Sequence, residues 1–77
     1  MDQQQFIKDF EAEFEEVELG SLKPETELEN IEEWGSLQAL VIIAMLDSKY
    51  KVKVTGAELQ QTKTVGDVFD LVQSKNK

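Results

Sequence analysis

Between Leu37 and Leu46 the chain carries no charged side chain, although charged residues make up 31% of the sequence. Apolar residues fall on more than one side of this segment. Leu37, Leu40, Val41 and Ala44 form one stripe at helical spacing, and Ile42, Ile43 and Leu46 form another. A helix apolar over so much of its circumference sits at the centre of a bundle, is partly exposed for a partner, or does both with different stripes. The expected helix runs from residue 36 to about residue 50 and begins at Trp34-Gly35-Ser36-Leu37. Its N-terminus presents unpaired N–H groups and the positive end of the helix dipole. A serine there can cap the helix with its own oxygen, or carry a phosphoryl group whose charge the helix end stabilises.

The rest of the chain reads as further helices around that one. Phe6, Phe10, Phe14 and Val17 recur at spacings of three and four with Ile7 beside them, which predicts an amphipathic helix over residues 3–17. Asp9, Glu11, Glu13, Glu15 and Glu16 form its polar face. Residues 18 to about 35 form the longest connection, broken by Gly20 and Lys23-Pro24. Its apolar anchors Leu19, Leu22, Leu28, Ile31 and Trp34 predict a loop that wraps the bundle. After the second helix, Lys49, Lys51 and Lys53 alternate with Tyr50, Val52 and Val54. With no second strand to pair, this reads as an extended linker tucking Val52 or Val54 inward. Thr55-Gly56-Ala57-Glu58 reads as a capping box opening a short helix through about Gln61. Thr64-Val65-Gly66-Asp67 repeats the pattern with aspartate and opens a last helix to about Ser74, followed by a fraying tail. The expected architecture is an all-α four-helix bundle, three helices longer and one short, with a long first loop. Residues 1–77 make one domain.

The totals narrow the function. The chain has no cysteine and no histidine, which removes disulfides, thiolate metal sites, the usual imidazole base and the usual zinc ligand. An enzyme is therefore not expected. Sixteen acids against eight lysines give a net charge of −8, unsuited to nucleic acid or to an anionic membrane surface. Such a charge suits basic protein partners or simple solubility. No secretion-signal pattern is present, and the longest apolar run, Ala39 to Leu46, is too short to cross a bilayer. A cytoplasmic monomer is the expectation.

Taken in order, the acidic amphipathic helix, long loop, serine-leucine at the head of an apolar helix, short capped helix and closing helix resemble an acyl carrier protein. The resemblance covers Phe6 to Val72. Glu32-Glu33-Trp34-Gly35-Ser36-Leu37 looks like the family's aspartate-serine-leucine attachment motif, often preceded by tryptophan, and Lys63 to Phe69 looks like its closing helix. The resemblance implies that Ser36, flanked by Gly35 and Leu37, receives 4′-phosphopantetheine from coenzyme A. A separate magnesium-dependent phosphopantetheinyl transferase would attach it. The terminal thiol of the arm would then hold acyl groups as thioesters for acyl-loading and acyl-processing enzymes. The cofactor supplies the sulfur that the chain lacks.

Two departures from the family pattern stand out. Gly35 replaces the usual aspartate, and Glu33 is the nearest acid, two residues off. The family's second helix usually shows acids to basic partners, whereas here Asp47 is the first. Gln38, Val41, Ala44, Met45 and Ser48 are the expected surface positions. Trp34, Glu33, Gln38, Val41, Met45 and Asp47 are the candidate partner-binding residues, with the loop acids Glu25, Glu27, Glu29, Glu32 and Glu33 steering the approach. Competing readings are a carrier-like interaction module that has lost its prosthetic group, and a carrier of aminoacyl groups such as D-alanine.

Overall fold

A computed structural model describes residues 2–76. Four helices follow one another: α1 (Gln3–Glu11), α2 (Ser36–Tyr50), α3 (Gly56–Gln60) and α4 (Val65–Lys75), with a single 3-10 turn at Leu28–Asn30 in the first connection. Three are long and one is short, and no strand forms among the described residues. None of the helices is long and apolar enough to cross a membrane.

Asp2 caps α1 by accepting from the Gln4 N–H at 3.0 Å. The helix then presents Phe6, Ile7 and Phe10 to the core. It stops at Glu11, well short of Val17, although no glycine or proline lies there. Carboxylates compete for the amides that a longer helix would use. The Glu33 carboxylate accepts from the N–H groups of Glu15 (3.0 Å) and Glu16 (2.8 Å). Glu11, expected on the polar face, is instead buried and accepts from the N–H groups of Gly20 (2.9 Å) and Leu22 (2.8 Å). Phe14 still reaches the core from the irregular chain beyond, and Val17 packs against its edge.

The long connection wraps the bundle. Leu28 and Ile31 are buried, Leu22 and Trp34 pack against the core, and Leu19 is left exposed. Backbone hydrogen bonds strap it to the start of α4: Leu28 N–H to Lys63 O (2.8 Å), Val65 N–H to Thr26 O (3.0 Å) and Gly66 N–H to Pro24 O (2.8 Å). Gly66 permits that last approach, since a Cβ there would lie 2.9 Å from the Pro24 oxygen.

Ile42, Met45 and Leu46 form the inner stripe of α2. Both Val52 and Val54, not one of them, turn inward from the linker while the intervening lysines stay in solvent. Lys51, in the left-handed conformation (φ 57°), closes α2. Both capping boxes form in full, Thr55 with Glu58 and Thr64 with Asp67, so the aspartate version is complete. Lys75 remains helical, Asn76 closes α4, and Lys77 lies outside the described residues. Phe6 lies at the centre, 5.4 Å edge-on from Phe69 of α4 and 6.1 Å from Phe10.

Candidate functional site

The segment before α2 is pinned from three sides. Trp34 stacks on Phe10 and Phe14, with ring centroids 6.2 Å and 6.4 Å apart. Its N–H donates to Ile31 O at 2.9 Å. Two residues into α2, Gln38 donates from Nε2 to Glu13 O at 2.9 Å, tying the helix start to the chain just beyond α1. Between these anchors stand Gly35 and Ser36, both exposed.

Ser36 is not the cap of α2. Gly35 occupies that position with no side-chain capping bond, its backbone fully extended, and its oxygen accepts from the Ala39 N–H at 2.8 Å. Ser36 is the first helical residue, its side chain outside the capping role that the sequence alone left open. The helix start lacks any acidic residue in its first turn, so the N–H groups and dipole face solvent without a carboxylate from their own chain. Glu33 does not stand in for one, because each of its oxygens holds a backbone N–H of the Glu15–Glu16 bend.

Two surface clefts meet beside this serine. One, of about 220 Å³, is lined by Trp34, Gly35, Ser36, Ala39, Leu59 and Gln60. The other, of about 460 Å³, shares Trp34, Leu59 and Gln60 and extends past Thr62 and Lys63 to Glu27, Leu28 and Glu29. The floor is apolar at Leu59, which is fully buried, and the outer rim is polar. Capping fixes that rim. The Asp67 carboxyl is held below its usual range by the N–H groups of Lys63 and Thr64, and Glu58 by its hydrogen bond to Lys75 and the Thr55 N–H.

The remaining candidate residues divide clearly. Gln38 and Val41 are half-buried, and Asp47 is exposed but eleven residues along α2, about 16 Å of helix axis from Ser36. Met45, expected at the surface, is buried. It shares the inward face with Ile42, three residues before it, so helical phase alone turns it into the core. Leu37 and Leu40 point the other way and are 78% and 62% exposed. Sequence reasoning missed the cleft residues Leu59, Gln60, Thr62 and Lys63, which local spacing does not link to residue 36. It also missed Glu11, whose signal was present: a carboxylate four residues after Ile7 lies on the apolar stripe.

No protein-family model matches the chain, and no curated protein sequence does. Among solved structures, the fold is similar to the solution NMR structure of a holo acyl carrier protein from Geobacter metallireducens, with a TM-score of 0.78 and 34% identity. The match covers 97% of this chain and 86% of that one. An all-α bundle of this form, similar over nearly its whole length at that identity, shows that the chain belongs to the acyl carrier protein family.

Proposed function

We propose that this protein is a discrete carrier of acyl groups, held as thioesters on a 4′-phosphopantetheine arm attached at Ser36. The observation that carries the reading is Ser36 itself: exposed, first in α2, relieved of capping by Gly35, and opening onto a cleft. In the attachment step the Ser36 oxygen forms a bond to phosphorus. The pyrophosphate link of coenzyme A breaks, adenosine 3′,5′-bisphosphate leaves, and the hydroxyl proton passes to the transferase. The α2 N-terminus, with no acidic residue in its first turn, would stabilise the negative charge of such a phosphodiester through its N–H groups and dipole.

The arm, when bound, supplies the thiol that carries the acyl group. Trp34, Ala39, Leu59 and Gln60 would flank its root, with Thr62 and Lys63 further along the cleft. The protein's own part is positioning. Trp34 and Gln38 fix the start of α2 to the core, so that the serine is presented in one place to the enzymes that load and process the cargo. Fatty-acid or specialised acyl biosynthesis is the proposed setting, with phosphopantetheinyl transferase and acyl-processing enzymes as partners.

Incubation with coenzyme A, magnesium and a panel of phosphopantetheinyl transferases tests this, read by intact mass. The expected result is one phosphopantetheinyl addition to the wild type and none to Ser36→Ala. Addition to the variant, or none to the wild type with any transferase, overturns the reading. In the latter case an unmodified interaction module becomes the better description, with Gly35 as its supporting feature.

A further inference from the structure

Trp34 is the only tryptophan of the chain, and it stands between the clefts beside Ser36 and the packed interior. It lines both clefts and stacks on Phe10 and Phe14, with interplanar angles of 25° and 26°. Those two phenylalanines are buried and line neither cleft. Leu59, fully buried, closes the floor. The far wall is held by backbone: Leu28 N–H donates to Lys63 O at 2.8 Å, Val65 N–H donates to Thr26 O at 3.0 Å, and Glu27 pairs with Thr64 in an antiparallel bridge. Widening the cleft on that side breaks backbone hydrogen bonds, which leaves the half-buried indole of Trp34 as the barrier that a side-chain change can open. Outside that barrier the wall is mostly polar, with Glu27, Glu29, Gln60, Thr62 and Lys63. Lys63 forms no ion pair among the described residues.

We propose that Trp34 is a specificity-determining residue that shuts the core against the cargo, so that the groups carried are short and polar, such as hydroxyacyl groups of a few carbons. The inference rests on Ser36 as the attachment point, since the cleft opens at that serine. A long alkyl chain gains free energy in proportion to the apolar surface it hides from water. Outside Trp34 it finds only Leu28, Leu59 and the indole itself, set in a polar wall. Inside, Phe10, Phe14 and their buried neighbours already fill the space, and a close-packed core admits extra methylenes only with strain. A short cargo with a hydroxyl or carbonyl meets the opposite conditions. The Gln60 amide and the Lys63 ammonium are donors on the cleft wall, and a polar group there keeps its hydrogen bonds. Selection therefore works by exclusion, with the long chain left in water.

The test loads wild type, Trp34→Leu and Trp34→Phe with acetyl, hydroxybutyryl and octanoyl arms from the matching acyl-coenzyme A, using a transferase that loads the wild type. Intact mass verifies one addition to each, and every melting temperature is compared with that of the same protein's acetyl form. The wild-type octanoyl and hydroxybutyryl forms should melt within about 1 °C of the acetyl form, since neither chain enters the core. In Trp34→Leu, which leaves a gap over Phe10 and Phe14, the octanoyl form should melt at least about 5 °C above its acetyl form, because methylenes buried only in the folded state stabilise it. Trp34→Phe keeps a ring there and should behave as the wild type. A tryptophan with a structural role only would lower all three loaded forms of the leucine variant equally, and that parallel loss would overturn the proposal. So would a wild-type octanoyl form that melts well above the acetyl form with the Trp34 emission shifted to the red, since the chain would then displace the indole. Should Trp34→Leu fail to fold, the wild-type series decides: an octanoyl chain that stabilises it overturns the proposal, and one that does not upholds it. Either cargo result, with normal loading at Ser36, leaves the carrier reading intact. Failure of every transferase on the wild type would remove the attachment point and the cargo barrier together.

Discussion

The Glu11 carboxylate accepts the backbone N–H of Leu22 at 2.8 Å, and its other oxygen takes the N–H of Gly20 at 2.9 Å. One side chain at the end of α1 therefore sets the path of the connection that leads to Ser36. Its removal leaves two backbone donors to find water at the edge of a packed core. Glu11→Ala is expected to cost about 1–3 kcal/mol, read as a lower urea midpoint. Hydrogen exchange at Gly20 and Leu22 should accelerate. Unchanged exchange at both amides would mean that the loop is held by its apolar anchors alone.

Two glycines should respond oppositely to a side chain. At Gly66 a Cβ would lie 2.9 Å from the Pro24 oxygen, so Gly66→Ala must push the strap off α4, at about 1–3 kcal/mol. At Gly35 a Cβ meets nothing within 4 Å and the backbone is extended. Gly35→Asp should be accommodated and gain a few tenths of a kcal/mol as a better cap. It would also place a carboxylate beside Ser36, so its transferase rate should rise. Thermal melts and loading rates of the two variants check both expectations. A stable Gly66→Ala would show that the strap yields easily.

Alkaline pH should weaken the fold through Tyr50. Its hydroxyl donates to Asp9 Oδ2 at 2.6 Å. Burial, then the Asp9 hydrogen bond and charge, push the phenol above its ordinary value of 10.0. A folded value raised above the unfolded one gives stability that is fully present below about pH 10. It is lost as pH rises from there toward the folded value. Stability measured between pH 8 and pH 11 should fall in the wild type above pH 10, and less so in Tyr50→Phe. At neutral pH that variant should be weaker by about 1 kcal/mol for the lost hydrogen bond. Parallel curves for the two proteins would assign the alkaline loss to other groups.

Much of this fold was legible because its signals are local. The Thr55–Glu58 and Thr64–Asp67 boxes, the start of α2 at Ser36, and the apolar anchors Leu28 and Ile31 all follow from spacing within a few residues. The misjudged features depend on partners distant in sequence. Helix α1 ends early because Glu33, far along the chain, takes the amides of Glu15 and Glu16. Met45 lies in the core and not at the surface because neighbours on every side, and not composition, fix the rotational phase of an all-round apolar helix. The cleft escaped for the same reason: Trp34 and Lys63 come together only in the folded chain.

The central claim, that Ser36 carries the arm, is tested most directly by intact mass of the protein made in its native host, beside Ser36→Ala. Each is measured before and after hydroxylamine. The expected wild type carries one phosphopantetheinyl increment and further mass that hydroxylamine removes as a thioester-bound acyl group. The variant should carry neither. A variant bearing the same increment, or a wild type unmodified even after coenzyme A and several transferases are supplied, would contradict it.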